Sequence, residues 1–266
     1  MPFRTQSGNA VRMSRPTALI TGPTSGIGRS FAVTLAGRGY DLVLVARDKE
    51  RLDALGAELR GRYGVEVEVL PADLADRAAL ATVEARVADG SRPVDLLVNN
   101  AGFGHKEPFS ENDIEDEQAM LDVLVTAVLR LTHAAVRPMA ARGSGAIINV
   151  SSVAALLPRG TYSAAKAYVT SFSEWVDLTY RDRGVRAMAL LPGFTRTEFH
   201  QRMDVSPDSA PRWMWLDADR LVRDALDDLA KGRSISIPSK RYKVLATVAR
   251  YTPSSLQARF QGLGRK

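Results

Sequence analysis

The sequence predicts an α/β fold: a doubly wound parallel sheet of about seven strands with helices on both faces. Three observations predict it. Short apolar runs, continuous rather than alternating, recur along the chain with helix-period segments between them, and continuous apolar strands belong in a sheet covered on both sides. Right-handed crossovers through those intervening helices make the doubly wound arrangement the economical one. The composition agrees, since 266 residues with 45% hydrophobic and 25% charged side chains suit one domain around a single large sheet.

In chain order, the strands are expected at Thr17–Thr21, Asp41–Ala46, Val65–Leu70, Val94–Asn99, Ala146–Ser151, Arg186–Leu191 and Ser234–Ile237. Helical period is read over 27–38, 49–62, 76–89, 112–142, 161–182 and 217–231. In such a sheet, ligands bind beyond the carboxyl ends of the strands, near the point where strand order reverses. The residues that follow each strand therefore carry the functional information.

Other classes are set aside first. The chain has no cysteine, so disulfides and thiolate metal sites are excluded, and a reducing, cytoplasmic setting is the default expectation. His105, His133 and His200 stand far apart in sequence, which argues against a histidine metal site. No apolar run approaches the ~20 residues that a membrane span needs. The basic start lacks the apolar core of a signal peptide; residues 1–15 read as a disordered leader, with Met13 as an alternative start. The net charge of +6 is local: from Lys231 onward there are nine Lys/Arg and no Asp or Glu, which leaves the first 230 residues at −3. A nucleic-acid binder would carry the basicity on the fold itself, so no nucleic-acid partner is expected.

After the first strand, Thr21-Gly22-Pro23-Thr24-Ser25-Gly26-Ile27-Gly28 runs into a helix. Glycines let backbone turn sharply and approach a pyrophosphate, whose charge is favoured at a helix N-terminus. The plainer reading is a glycine turn that only caps a helix; its position between strand and helix at the start of a βαβ unit favours the dinucleotide. Later come Asn99-Asn100-Ala101-Gly102, Ser152, Tyr162 with Lys166 four residues on, and Pro192-Gly193. With the G-x-x-x-G-x-G spacing and this order, the chain resembles the short-chain dehydrogenase/reductase family over roughly residues 17–237. The resemblance implies a Rossmann-like domain over 16–238 that binds cofactor and carries out catalysis, followed by a basic amphipathic extension over 239–266.

The resemblance implies NADP(H). An acidic side chain ending the second strand would bond the ribose 2′-hydroxyl of NAD and repel a 2′-phosphate. That position is Ala46, followed by Arg47, which can pair with a phosphate. Asp48 is the rival ribose ligand, although acids also favour the first turn of a helix. Asp73-Leu74 resembles the family's adenine-side pair, or supplies an N-cap to the following helix. Asn100, Ala101 and Gly102 resemble its cofactor-lining segment. Pro192, Gly193, Thr195 and Thr197 resemble the stretch that closes over the nicotinamide.

Tyr162 and Lys166, four apart on a helix, share a face. A tyrosine titrates near ~10, and a neighbouring ammonium should lower that value. Tyr162 would then pass a proton to or from a substrate oxygen. Ser152 would hydrogen-bond the same oxygen, with Ser151 as the alternative if the register shifts by one. In the family the lysine also holds the nicotinamide ribose. The Ser152-to-Tyr162 segment is about three residues shorter than many relatives have, which bears on the substrate mouth.

One departure stands out. Leu124 occupies the position of an asparagine that in relatives helps hold a water linking the lysine to solvent, and leucine cannot hydrogen-bond. Either Asp122 or Thr126 takes over the relay, or turnover is slowed, or the chain is a non-catalytic NADP(H)-binding sensor.

The segment from Phe199-His200-Gln201-Arg202-Met203 to Trp213-Met214-Trp215-Leu216 is where relatives place a substrate lid. With Leu156-Leu157-Pro158 it suggests an apolar pocket, or else core packing. The expected substrate is a lipophilic ketone, aldehyde or 3-oxoacyl compound. In the tail, Val244, Leu245, Val248 and Ala249 stand among Lys and Arg. The favoured reading packs them on the body, with a membrane surface or an acidic carrier protein as alternatives. The family implies a homodimer or homotetramer through helices 112–142 and 161–182.

Overall fold

The computed structural model describes residues 15–105, 107–196 and 211–251. Its strands are β1 Thr17–Thr21, β2 Asp41–Ala46, β3 Val67–Pro71, β4 Leu96–Asn99, β5 Gly145–Val150, β6 Val185–Leu190 and β7 Ile235–Ser236. They form one parallel seven-stranded sheet in the order β3-β2-β1-β4-β5-β6-β7. The helices are α1 Gly26–Gly37, α2 Lys49–Tyr63, α3 Arg77–Ala88, α4 Ile114–Leu121, α5 Ala127–Arg142, α6 Thr161–Tyr180, α7 Ala218–Ala230 and α8 Lys240–Tyr251.

The pleat explains the continuous apolar runs. Ile20, Leu42, Leu44, Val98 and Ile148 pack with Phe31, Leu35, Leu52 and Leu221 from α1, α2 and α7. Their neighbours Leu19, Val43, Val45, Leu97 and Ile147 pack with Leu80, Leu131 and Val176 from α3, α5 and α6. Successive side chains thus feed opposite cores. Strand order reverses between β1 and β4, which opens a crevice at their carboxyl ends.

Boundaries differ from expectation in physically readable ways. β3 begins at Val67; Val65 is buried without being part of the strand. β4 begins at Leu96, just after Asp95, whose carboxylate accepts from the Thr17 N–H. β5 and β6 lie one residue earlier than read, and β7 is only two residues long. The expected helix 112–142 starts at Ile114, capped by Asp113, and a π-helical turn, Asp122–Thr126, interrupts it. A π turn inserts an extra residue into the helical ladder and often marks a functional site; this one carries Leu124.

By length and composition alone, the helix spanning Ile114–Arg142 is long and apolar enough to cross a membrane, contrary to the sequence expectation. Its buried face (Val123, Ala127, Leu131, Ala135 and Val136) belongs to the cluster under the sheet, as in a core helix. The C-terminal helix also departs from its reading. α8 packs through Tyr242 and Ala246, and Val244, Leu245 and Val248 face solvent. Residues 1–14 of the expected leader, residues 252–266 of the tail and the Ala249 side chain lie outside the described residues.

Candidate active site

At the cofactor end, sterics dictate the glycines. Gly22 and Gly26 adopt φ of 65° and 55°, a region that L side chains avoid. A Cβ on Gly28 would lie 2.1 Å from the Gly22 carbonyl oxygen and 2.4 Å from the Asn100 amide nitrogen. Asn100 Nδ2 donates to the Thr21 and Gly22 carbonyls, both at 3.0 Å. Thr21 Oγ1 accepts from the N–H groups of Asn100 (2.9 Å) and Ala101 (3.0 Å). The ends of β1 and β4 are thereby locked together, and the Asn100 side chain serves as the clamp. Ser25 stands at the N-cap of α1, whose first turn has no acidic residue. Ile27 packs inward on the core, and the Thr24 carbonyl accepts from Arg51 Nη2 at 3.2 Å.

At the end of β2, the Asp48 side chain accepts from the Arg51 N–H and caps α2. Arg47 is exposed, with Nη1 4.0 Å from Asp73 Oδ2. Asp73 also accepts from the Ala75 N–H at 3.0 Å. The N-cap of α3 is Asp76, not Asp73. Leu74 is buried in the core.

The chemistry-bearing residues meet beyond β5. The Ser152 hydroxyl accepts from the Ala154 N–H at 3.1 Å and lies close enough to the Tyr162 phenol to pull its pKa down. Ser151 is excluded from the alternative role: it is buried, bonded to the Lys166 carbonyl and Thr170 Oγ1, each at 2.8 Å. Lys166 is buried; its Nζ donates to the Val150 carbonyl at 2.7 Å and lies 5.6 Å from the centre of the Tyr162 ring. Burial pushes the Tyr162 phenol up to about 12, against the pull of Ser152, and brings the Lys166 ammonium down to about 8. The sequence expectation, a phenol lowered by its lysine, is overturned: desolvation disfavours both charged forms.

Leu124 is fully buried and packs with Met120, Ala165, Phe103 and Tyr162. A Cβ on Gly102 would meet Leu124 Cδ2 at 2.7 Å and Lys166 Nζ at 3.8 Å, so leucine forms the wall beside the ammonium. Asp122 and Thr126, the polar residues nearest Leu124 in sequence, are engaged elsewhere. They bond one another at 3.2 Å, and Asp122 turns toward Arg77 of α3.

Glu117 and Tyr242 escaped the sequence reading, and Asn99 was named there without its partners. Glu117, buried on α4, accepts from Asn112 (2.6 Å) and from Thr161 (2.5 Å), the residue before Tyr162. Burial pushes the Glu117 carboxyl up, but those hydrogen bonds and the nearby His105 outweigh it and leave it below its usual value. Behind the site, Asn99 donates to Asn149 and Asn149 to Ser173, which ties β4, β5 and α6 together. Tyr242 of α8 accepts from the Phe194 N–H at 3.0 Å and donates to the Met214 carbonyl at 2.9 Å.

A Cβ on Gly193 would fall 2.1 Å from the Tyr242 ring, so the Pro192-Gly193 turn is shaped by that contact. Thr195 is buried, with Oγ1 on the Gly193 carbonyl at 3.0 Å. Met214 and Trp215 belong to the core around Tyr242, which favours the packing reading for them, whereas Trp213 is exposed. Leu156, Leu157 and Pro158 line a cavity of about 490 Å³ with Ala155, Gly160 and Ala164. It flanks the Ser152–Tyr162 pair and does not contain it. Thr197, Phe199, His200, Gln201, Arg202 and Met203 lie outside the described residues.

The comparisons with known proteins agree with this arrangement. Residues 16–207 match the family model described as short chain dehydrogenase. A very-long-chain 3-oxoacyl-CoA reductase from Anas platyrhynchos is 32% identical over 190 residues; the match covers 68% of this chain and 60% of that protein. The chain thus spans less than two thirds of that relative. Among solved structures, a short-chain dehydrogenase from Sphingobium yanoikuyae in complex with NADPH is 38% identical, with a TM-score of 0.82 over 88% of this chain and 93% of that one. The bulky-bulky ketone specific alcohol dehydrogenase from Comamonas testosteroni is 33% identical, with a TM-score of 0.76 over 88% and 91%. The chain belongs to the short chain dehydrogenase family.

Proposed function

We propose that the chain is an NADP(H)-dependent oxidoreductase that interconverts a lipophilic carbonyl compound (ketone, aldehyde or 3-oxoacyl) and its alcohol. The observation that carries the reading is the Tyr162 phenol beside Ser152 and buried Lys166, whose Nζ lies 5.6 Å from the ring, at the crevice where strand order reverses. The residues fit a dinucleotide phosphate. Backbone at Gly22, Gly26 and Gly28 is bare, the first turn of α1 holds no acid, and β2 ends on Ala46 where an NAD-selecting carboxylate would stand, with Arg47 next. Asp48 is already engaged as a helix cap. NADPH in the Sphingobium relative supports the same choice.

When bound, NADP(H) supplies the hydride at its nicotinamide. The chain supplies the rest. Tyr162, a neutral phenol well past neutral pH, donates its proton to the substrate oxygen. Ser152 holds that oxygen and stabilises its developing charge. Lys166 would hold the nicotinamide ribose. A phenol kept protonated favours the reducing direction.

The apolar lining at Leu156, Leu157 and Pro158 supports a lipophilic substrate, as do the substrates named for the Anas and Comamonas relatives. Exposed Leu129 on α5 and Tyr168, Trp175 and Leu178 on α6 support a homodimer or homotetramer through those helices. Leu124 favours a second reading, an NADP(H) sensor with little turnover. Assaying carbonyls of graded chain length with NADPH and NADH side by side separates the readings. NADPH oxidation that rises with substrate apolarity is expected; tight NADPH binding without turnover of any carbonyl would establish the sensor.

A further inference from the structure

We propose that the solvent face of α8, with the Arg212–Met214 turn beside it, docks on an anionic lipid surface. Tyr242 and Ala246, one helical turn apart, are buried and fix which side of α8 faces the body. Away from them stand Val244, Leu245 and Val248, exposed by 63%, 39% and 58%, an aliphatic stripe on the water side of the helix. Lys240, Arg241 and Lys243 border the stripe, all exposed, and α8 contains no acidic residue. On the adjoining turn, Arg212 and Trp213 are exposed as well, and Arg241 Nη1 donates to the Trp213 carbonyl at 2.9 Å.

A lipid headgroup region answers all three features at once. Aliphatic side chains enter the acyl boundary, a tryptophan sits at headgroup level, and cations pair with phosphates. A second copy of the chain does not, because joining two such faces would bring Lys240, Arg241 and Lys243 of both copies together. An acidic protein would answer the cations alone. The first 230 residues sum to −3, so attraction to an anionic surface is concentrated on this end of the molecule.

α8 also packs on the Val153–Leu156 turn, so docking would bring the apolar cavity lined by Leu156 and Leu157 toward the lipid. That consequence rests on the substrate class proposed above; the docking does not.

The test is flotation of the full chain with vesicles of equimolar phosphatidylcholine and phosphatidylserine, compared with phosphatidylcholine alone. Wild type should float with the mixed vesicles, and less as salt is raised. The double variants Val244→Glu/Val248→Glu and Lys240→Glu/Lys243→Glu should each lower the bound fraction about tenfold. Both should keep the wild-type melting temperature and the fluorescence of bound NADPH, which shows that they fold. Failure of wild type to float, or flotation of both folded variants like wild type, overturns the proposal. So does self-association in sedimentation that Val244→Glu/Val248→Glu abolishes while no flotation occurs. Flotation without NADPH binding in any of these proteins would leave docking standing and remove the cofactor reading.

Discussion

At the cofactor end of the crevice, selectivity comes from bare backbone: Gly22 and Gly26 adopt positive φ, a Cβ on Gly28 would strike the Gly22 carbonyl, and Asn100 clamps the turn to β4. At the chemistry end, it comes from burial: Lys166 and Leu124 are enclosed, and desolvation sets the protonation of Tyr162. The first end is rigid because the neighbours of its glycines are backbone and an Asn100 amide that is itself bonded to backbone. The second is adjustable, because the neighbours there are side chains. A small change should therefore break the first end outright and only tune the second, unless it removes the reacting proton itself.

The largest effect should come from Tyr162→Phe, which deletes that proton. NADPH-dependent turnover should fall by roughly 10²–10⁴-fold with NADPH affinity unchanged, as measured by steady-state kinetics and fluorescence titration. Gly28→Ala and Gly102→Ala then test the contrast directly. The first places a Cβ 2.1 Å from backbone oxygen, and the second 2.7 Å from the end of Leu124. Gly28→Ala should cost about 1–3 kcal/mol of stability and abolish NADPH binding, whereas the second should leave NADPH binding intact; equal losses would remove the distinction. Arg47→Glu should shift the NADPH-over-NADH preference by about tenfold or more, since a charged hydrogen bond is replaced by repulsion.

A pH series follows from Lys166. Its ammonium is lost above about 8 while Tyr162 stays protonated to about 12, so reduction should decline above pH 8 through loss of the lysine charge. The stability sign is opposite. The folded state disfavours an ammonium that the unfolded chain carries, so stability should rise between pH 8 and 10.5. The smallest effect is expected from Leu124→Asn, a rise in turnover of about a few fold if a polar group there connects Lys166 to solvent. No rise would show that the leucine wall does not limit the rate.

The sheet and its loops were legible in the sequence because strand pattern and glycine spacing are local. Asp48 as a helix cap followed from position alone, whereas Ser152 and Tyr162 were legible through the resemblance of their motif. Glu117 and Tyr242 were not legible. Their partners Thr161 and Phe194 lie 44 and 48 residues away, and nothing near either residue announces the contact. The π turn at Leu124 was hidden because Met120, Leu121, Val123, Leu124, Val125, Ala127, Val128 and Leu129 crowd every face there, so a one-residue shift of phase leaves no gap in the pattern. The direction of the Tyr162 shift was missed for a related reason: the i,i+4 lysine is visible in the sequence, and the desolvation that outweighs it is a property of the packed chain.

The most direct measurement uses NADPH carrying deuterium at C4 of its nicotinamide, incubated with the full chain and a hydrophobic ketone. Mass spectrometry of the product should find deuterium on the carbinol carbon with wild type and almost none with Tyr162→Phe. A protein that binds the labelled NADPH and yields no labelled alcohol from any carbonyl would contradict the account.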